Sequence, residues 1–355
     1  MSGREELHHG TRAVHAGLPA ARDGEPFLPG PTFAAPFHLA GAAAPAGYGR
    51  YANPTYSHYE DALGELEGGA ALAFASGMAA TSAVLLGLLA PGDVLVAPRD
   101  AYPGVRRIAS EHLEPRGIEV RLVPSDAAAI RSALPRASLV WIETPSNPGL
   151  DVLDVATLVA DVHAVGARLV VDNTLATPYL QRPLELGADL VVASGAKALT
   201  GHSDLIIGYV AAREAEALAP LLDWRGLHGA IPGPFETWLA HRSLATLGVR
   251  VERQQANAQA LHDLLSERID VVSDVRWPQM GGVLCFTLDS AERAEAFLAA
   301  CVLVADATSF GGVHSSAERR ARWQTDDVAP GFVRFSCGVE DTADLVADVE
   351  RALDA

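Results

Sequence analysis

The stretch RLVVDNTLATPYLQRPLELGADLVVASGAKALTGHSD, residues 168–204, holds two short apolar runs, RLVVD and DLVVAS, each ending on a polar residue, Asp172 or Ser194. Runs of this length, rich in β-branched residues and apolar on both faces, read as strands of a sheet that is covered on both sides. The same texture extends outward in both directions. ALAFAS (71–76), DVLVAP (93–98), EVRLV (119–123) and SLVWIET (138–144) precede it, and LIIGYVAA (205–212) follows. Between these strands, GMAATSAVLLGLLA (77–90), YPGVRRIASEHLEPRG (102–117), SDAAAIRSALP (125–135) and VATLVADVHAVG (155–166) read as helices. Short strands alternating with helices predict an α/β fold, a mostly parallel sheet with helices on both faces.

Past about residue 230 the texture changes. FETWLAHRSLATLGVRVERQQANAQALHDLLSER (235–268) reads as one long amphipathic helical stretch that bridges two domains. VLCFTLD and GFVRFSCG read as strands, AERAEAFLAAC and the closing DTADLVADVERALDA as helices, together a small α+β domain. Residues 1–47 are rich in Gly, Pro and Ala without a sustained period and read as an extended arm that leans on other surroundings. The predicted organisation is thus an arm (1–47), a large domain (48–230) and a small C-terminal domain (231–355).

Composition narrows the function. The 355 residues carry a formal net charge of −17, which argues against nucleic acid or an anionic membrane as partner, since both require a basic face. The first residues, MSGREELHHGTRAVHAG, lack the apolar core of a signal peptide, and the apolar run near ATSAVLLGLLAPG is too short to span a bilayer. Three cysteines out of metal-ligand spacing and no HExxH among the histidines predict a reducing cytosol, no disulfide and no metal site.

Within the opening stretch, Lys197 is the one lysine of the chain; all other basic residues counted with it are arginine. Arginine matches lysine in charge but stays protonated, whereas a desolvated lysine amine sheds its proton and condenses with a carbonyl. Three polar features fall near the predicted strand ends, where open parallel sheets bind ligands. Asp172 closes RLVVD, either as a solvated strand end or as a charge held for a partner. Ser76-Gly77-Met78 opens a helix, either as a plain N-cap or as a phosphate cradle built on the helix N-terminus. Ser194 closes DLVVAS as a turn, a cap or a phosphate ligand. A phosphate-binding turn, an acid and one reactive amine on neighbouring strand ends suit pyridoxal 5'-phosphate, an electron sink that the protein positions.

The chain resembles the pyridoxal-phosphate enzymes of cysteine and methionine metabolism: the cystathionine γ-synthase, cystathionine γ-lyase and methionine γ-lyase family. The matching strings are YGRYANPT (48–55), LEGGAALAFASGMAA (66–80), VWIETPSNP (140–148), VVDNTLATPYLQRPLELGADLVV (170–192), SGAKALTGHSD (194–204), TSFGG (308–312) and VRFSCGVED (333–341). They are spread over most of the chain in family order. The resemblance implies the type I pyridoxal-phosphate-dependent transferase fold, with a mostly parallel seven-stranded sheet and a small C-terminal domain. It also implies a homotetramer, a dimer of dimers.

By this resemblance Lys197 is the Schiff-base lysine, Asp172 the partner of the pyridinium nitrogen, and Tyr102 the ring that stacks on the cofactor. Ser76, Gly77, Met78 and Ser194 are implied phosphate ligands, with Tyr48 and Arg50 reaching the phosphate from the neighbouring chain. Arg334 is implied to grip the substrate carboxylate, with Ser309 and Asn147 nearby, Glu143 lining the pocket, and Thr308 at a position where the lyases differ. The implied catalytic set is Lys197, Tyr102 and Asp172, and the implied reaction is γ-elimination of a sulfur amino acid, cystathionine foremost. γ-Replacement on an activated homoserine, methionine γ-elimination and a catalytically silent homologue are the alternatives.

Two departures from the family pattern stand out. The family's Ser-Ala-Thr-Lys is Ser194-Gly195-Ala196-Lys197 here. After SFGG, where the family continues with an acidic residue and a Pro-Ala-x-Met-Thr-His segment, this chain has VHSSAERRARWQTDDVAPG with His314 in the acidic position. His314, Arg319, Arg320 and Arg322 read as a solvated loop, with lining of the substrate entrance as the other reading. A nicotinamide-dependent oxidoreductase is disfavoured, because no GxGxxG follows the first strand and Lys197 has no role in it.

Overall fold

The computed structural model describes residues 7–39 and 47–355. Strands β1 (Ala70–Phe74), β2 (Val94–Pro98), β3 (Glu119–Val123), β4 (Leu139–Glu143), β5 (Arg168–Asp172), β6 (Leu190–Ser194) and β7 (Gly208–Ala212) form one sheet in the order β1-β7-β6-β5-β4-β2-β3. Pairing is parallel from β3 through β6, and β7 runs antiparallel to both its neighbours. All seven strands are those expected, although LIIGYVAA pairs only from Gly208 onward.

Because successive strand residues point to opposite faces, the sheet feeds two layers of core. Leu95, Trp141, Val170, Val192 and Val210 pack on one face with α3 (Gly77–Leu88), α4 (Pro103–Ile108) and α8 (Ala219–His228). On the other face, Val140, Ile142 and Val171 meet α5 (Ala127–Ala133) and α6 (Val155–Ala164), while Ala73, Val191 and Tyr209 meet α2 (Pro54–Glu67), α9 (Pro234–Leu244) and α10 (Leu247–Glu267). Short helices α1 (His9–His15) and α7 (Thr177–Leu180) lie beside this second layer. The double coverage is why the inner strands read as nearly unbroken apolar runs.

Three elements differ from expectation. The long stretch 235–268 is two helices, broken at Ala245–Thr246 where the backbone of Thr246 leaves helical geometry (φ −111°, ψ 7°). The helix expected over 102–117 becomes α4, one π turn (Ala109–Leu113) and one 3-10 turn that ends on Gly117 in the left-handed region. In the arm, α1 buries Ala13, and His241 bonds the carbonyl of the buried Ala16 at 2.8 Å, so this stretch leans on its own chain. Residues 1–6 and 40–46 of the expected arm lie outside the described residues.

The smaller sheet holds β8 (Val272–Arg276), β9 (Val283–Leu288), β10 (Ala305–Asp306), β11 (Ser316–Arg319) and β12 (Phe332–Ser336), in the order β10-β11-β12-β9-β8. It packs against α10, α11 (Ala291–Ala300) and α12 (Thr342–Leu353), with Phe286 and Phe297 edge to face at 5.5 Å in its core. Among the described residues no helix is long and apolar enough to cross a membrane.

Candidate active site

The carboxyl ends of β4, β5 and β6 and the N-terminus of α3 open into one cleft of about 340 Å³, closed on the far side by the Thr308–Phe310 loop and Arg334 of β12. Parallel pairing puts the last residues of β4 and β5, Glu143 and Asp172, directly opposite each other. Glu143 is buried and Asp172 partly so, and this desolvation raises the proton affinity of both; the proximity of Asp172 adds to the shift that takes Glu143 well above the usual carboxylate range. Asp172 is less displaced, since the N–H of Thr174 donates to its Oδ1 at 3.0 Å and the Lys197 cation favours its charged form. Neighbouring carboxyls do not both ionise cheaply, so the proton is held more firmly on Glu143 and the charge is favoured on Asp172. The backbone N–H of Tyr102 donates to Oε2 of Glu143 at 3.1 Å, which fixes the start of α4 and leaves the half-exposed Tyr102 ring on the cleft wall.

Lys197 stands in the turn after β6. Burial lowers its pKa, the Arg334 guanidinium lowers it further, and Asp172 opposes both. Its Nζ lies 5.5 Å from the centre of the Phe310 ring, and the Arg334 guanidinium sits 5.0 Å from the same ring. One aromatic ring is thus shared by the amine and the guanidinium.

Ser76 is the N-cap of α3: its Oγ accepts from the N–H of Ala79 at 3.0 Å, and its carbonyl accepts from Ala80. The N–H groups of Gly77 and Met78 are left over at the positive end of the helix. The first turn of α3 can approach the sheet only because two residues lack a Cβ. At Gly77 that atom would stand 2.7 Å from Cβ of Ser194, and at Gly208 it would stand 2.4 Å from the Ser76 carbonyl oxygen. Ser194 is steadied from below, its N–H donating to Oγ1 of Thr174 at 2.9 Å.

Arg334 enters from the middle of β12, buried among apolar neighbours. Its Nη1 donates to Oδ1 of Asn147 at 2.5 Å, and its Nη2 to the carbonyl of Ser309 at 3.2 Å and to Glu318. Ser309 is held at φ 80°, a left-handed conformation that turns its carbonyl toward the guanidinium.

Of the residues singled out from sequence, Ser76, Gly77, Met78, Tyr102, Glu143, Asn147, Asp172, Ser194, Lys197, Thr308, Ser309 and Arg334 all line this one cleft. Tyr48 and Arg50 do not. The Arg50 guanidinium lies instead over the rings of Tyr48 and Tyr51, at 5.3 and 4.9 Å, outside the cleft. Thr81, Thr174, Ile206, Phe310 and Arg320 also line it and were not singled out as its ligands.

Arg320 corrects the reading of 313–330 as a solvated loop. His314 is exposed, and Arg319 and Arg322 pair at the surface with Glu295 and Asp306. Arg320 is buried: its Nη1 donates to Oε1 of Glu318 at 3.0 Å and its Nε to Oδ2 of Asp326 at 3.1 Å. The polarity of SAERRARW concealed a buried charge network.

The chemistry of this donor set fits pyridoxal 5'-phosphate. Two helix N–H groups and a serine at a glycine-lined turn suit the phosphate. A buried, charged carboxylate suits the pyridinium, and one amine of lowered basicity suits the aldehyde.

Comparison with known proteins agrees. The family model described as Cys/Met metabolism PLP-dependent enzyme matches residues 32–354. The chain is 53% identical to a putative cystathionine gamma-lyase of Streptomyces coelicolor, over 97% of this chain and 93% of that one. It is 37% identical to a cystathionine gamma-synthase/O-acetylhomoserine (thiol)-lyase of Bacillus subtilis, over 91% of each. The crystal structure of metB from Corynebacterium glutamicum superposes with a TM-score of 0.93 at 33% identity, covering 99% of both chains. A cleft with this donor set, in a chain matched along nearly its whole length, belongs to the pyridoxal-phosphate-dependent enzymes of cysteine and methionine metabolism.

Proposed function

We propose that the protein is a pyridoxal-phosphate-dependent carbon–sulfur lyase that takes L-cystathionine and water to cysteine, 2-oxobutyrate and ammonia. The observation that carries this reading is that a lysine amine of lowered basicity and a buried arginine fork stand against the same Phe310 ring in one cleft. Such a pair holds an amino acid by its carboxylate while presenting its Cα proton to a base. The 53% identity to a putative cystathionine gamma-lyase supports the choice of substrate.

Each residue has a definite task. Arg334, steadied by Asn147 and the Ser309 carbonyl, binds the α-carboxylate and orients the substrate. Lys197 receives the Cα proton on Nζ, which burial and Arg334 help keep unprotonated. Bound in the cleft, the cofactor supplies an electron sink for the charge left at Cα. Asp172 carries the counter-charge for a protonated ring nitrogen, and the proton on Glu143 prevents a second anion from competing with it. Lys197 and Tyr102 are the groups placed to move a proton at Cβ so that the γ-thiolate leaves. Ser76, Gly77, Met78 and Ser194 hold the phosphate.

The arm is part of the same reading. Tyr48 and Arg50 stand outside their own cleft, in keeping with their completing the site of a neighbouring chain in a cytoplasmic homotetramer. The division into a large unit (48–230) and a small unit (231–355) is our reading of the two sheets. The 37% identity to a synthase that also carries a thiol-lyase name favours γ-replacement as the second reading, since it uses the same groups.

The decisive experiment is a panel of cystathionine, homocysteine, methionine and O-succinylhomoserine, the last with and without cysteine, scored for 2-oxo acid and thiol. Release of 2-oxobutyrate and cysteine from cystathionine supports the proposal. Thioether formed from the ester and cysteine, with no 2-oxo acid from cystathionine, would replace lyase by synthase. A holoenzyme inert toward all four would make the protein a silent homologue.

A further inference from the structure

Two guanidinium groups, not one, stand on the wall of the cleft. Arg334 and Arg320 both line it, both are buried, and both donate to the same oxygen, Oε1 of Glu318. Glu318 is a fixed post: it is 1% exposed, and its Oε2 accepts from Nε1 of Trp323 at 2.7 Å. Asp326 holds Arg320 from the other side and is itself held by Nη2 of Arg106 in α4, at 3.3 Å. Two buried carboxylates therefore balance two buried guanidinium groups, which lets like charges lie side by side before any ligand arrives.

Neither fork is used up. A guanidinium has five N–H donors, and the partners named occupy three on each arginine. Since one carboxylate oxygen of Glu318 serves both groups, the two guanidinium groups lie side by side on the cleft wall.

We propose that Arg320 is a second carboxylate-binding residue, which shares the α-carboxylate of the substrate with Arg334. Glu318 and Asp326 are positioning residues that hold the two forks side by side. This rests on the reading of the cleft as an amino-acid site, but not on which bond is then broken.

The test compares the holoenzyme with the double variant Arg320→Gln/Asp326→Asn, which removes one cation and one anion together and leaves no orphaned buried charge. Arg320→Lys is the second variant, because it keeps the charge and loses the fork. Binding is followed by the change in cofactor absorbance on titration with L-cystathionine, L-methionine and 3-(methylsulfanyl)propylamine, which is methionine without its carboxylate. The expected result for the double variant is an apparent Kd for both amino acids raised about tenfold or more, the scale of one charged hydrogen-bond partner. The amine should bind unchanged, and Arg320→Lys should fall between wild type and the double variant.

Equal losses for amine and amino acids would reduce Arg320 to a structural ion pair and overturn the proposal. No change for any ligand would overturn it as well. A loss confined to cystathionine would overturn it in favour of a contact with the distal carboxylate. If wild type binds the amino acids yet releases no 2-oxo acid, the lyase reading fails while this assignment stands.

Discussion

At the scale of single residues, the site rests on differences of environment between otherwise ordinary groups. Lys197→Arg keeps a cation in the turn but removes a nucleophile, so the variant should lack the visible absorbance of a pyridoxal imine. Its kcat/KM should fall by at least about a thousandfold, in the range expected for loss of a positioned proton acceptor. Asp172→Asn is nearly isosteric and removes only the charge; cofactor should be retained and kcat should fall with little change in KM. Arg334→Lys exchanges a planar fork for a point charge, and KM for amino-acid substrates should rise by roughly tenfold to a hundredfold. The sequence made Lys197 legible because a chain otherwise basic through arginine kept one amine. Arg320 was illegible because its meaning lies in Glu318 and Asp326, and nothing in SAERRARWQTDD says which of its charges turn inward. The departure at Gly195 has a local account: a Cβ there would stand 2.7 Å from Cγ2 of Ile207.

Among elements, the strands buried on both sides were read correctly, and β8 and β11, with a polar side, were not. The inner strands of the large sheet are apolar through their middle, and double coverage writes that directly into the sequence, whereas the edge strand β3 carries Glu119 and Arg121 and has no fully buried residue. β8 reads VSDVR and buries only Val272, and β11 is built of Ser, Ala, Glu and Arg, so neither resembles a strand until its ladder and ion pairs are seen. The break between α9 and α10 has no glycine or proline to announce it. α2 carries a testable liability at its last residue. Glu67 is fully buried, accepts from the Tyr209 hydroxyl at 2.5 Å, and leaves Oε2 without a partner. Burial raises its pKa from 4.5 to about 7. The folded state then binds more protons than the unfolded one between these values, so stability declines as pH climbs from 4.5 through 7 and levels off above. The decline attributable to this group is on the order of 3 kcal/mol. Glu67→Gln should flatten that part of the stability curve and be the more stable protein at pH about 8, as read from thermal unfolding across the range. Ser76→Ala, which removes the cap of α3, should cost about 1 kcal/mol and weaken cofactor retention.

For the whole molecule, activity becomes a property of paired chains under the proposal that Tyr48 and Arg50 complete the site of a neighbouring chain. Arg50→Ala and Lys197→Ala proteins, each nearly inactive alone, should regain activity when unfolded and refolded together, because a hybrid pair assembles one site with both residues intact. Mixtures that stay inactive would confine the site to one chain. The resemblance alone made these two residues legible; composition offered only a surface charge and a tyrosine. The long helix α10 has a further consequence. Arg250 donates to the carbonyls of Ala198 and Leu199, just past the lysine, at 2.7 and 3.0 Å. Gln254, one turn on, donates to the carbonyl of Gly312 at 2.8 Å, just past the Ser309 loop, and Asn257 donates to those of Gly338 and Glu340. A single helix thus gauges the span between the turn that follows Lys197 and the loop that follows Ser309, about 1.5 Å for every residue along it. The span is set by helical geometry and not by a hinge. A longer or shorter substrate must therefore be accommodated by exchanging side chains such as Thr308, Ile206 or Arg320, while the frame that measures the reaction stays the same.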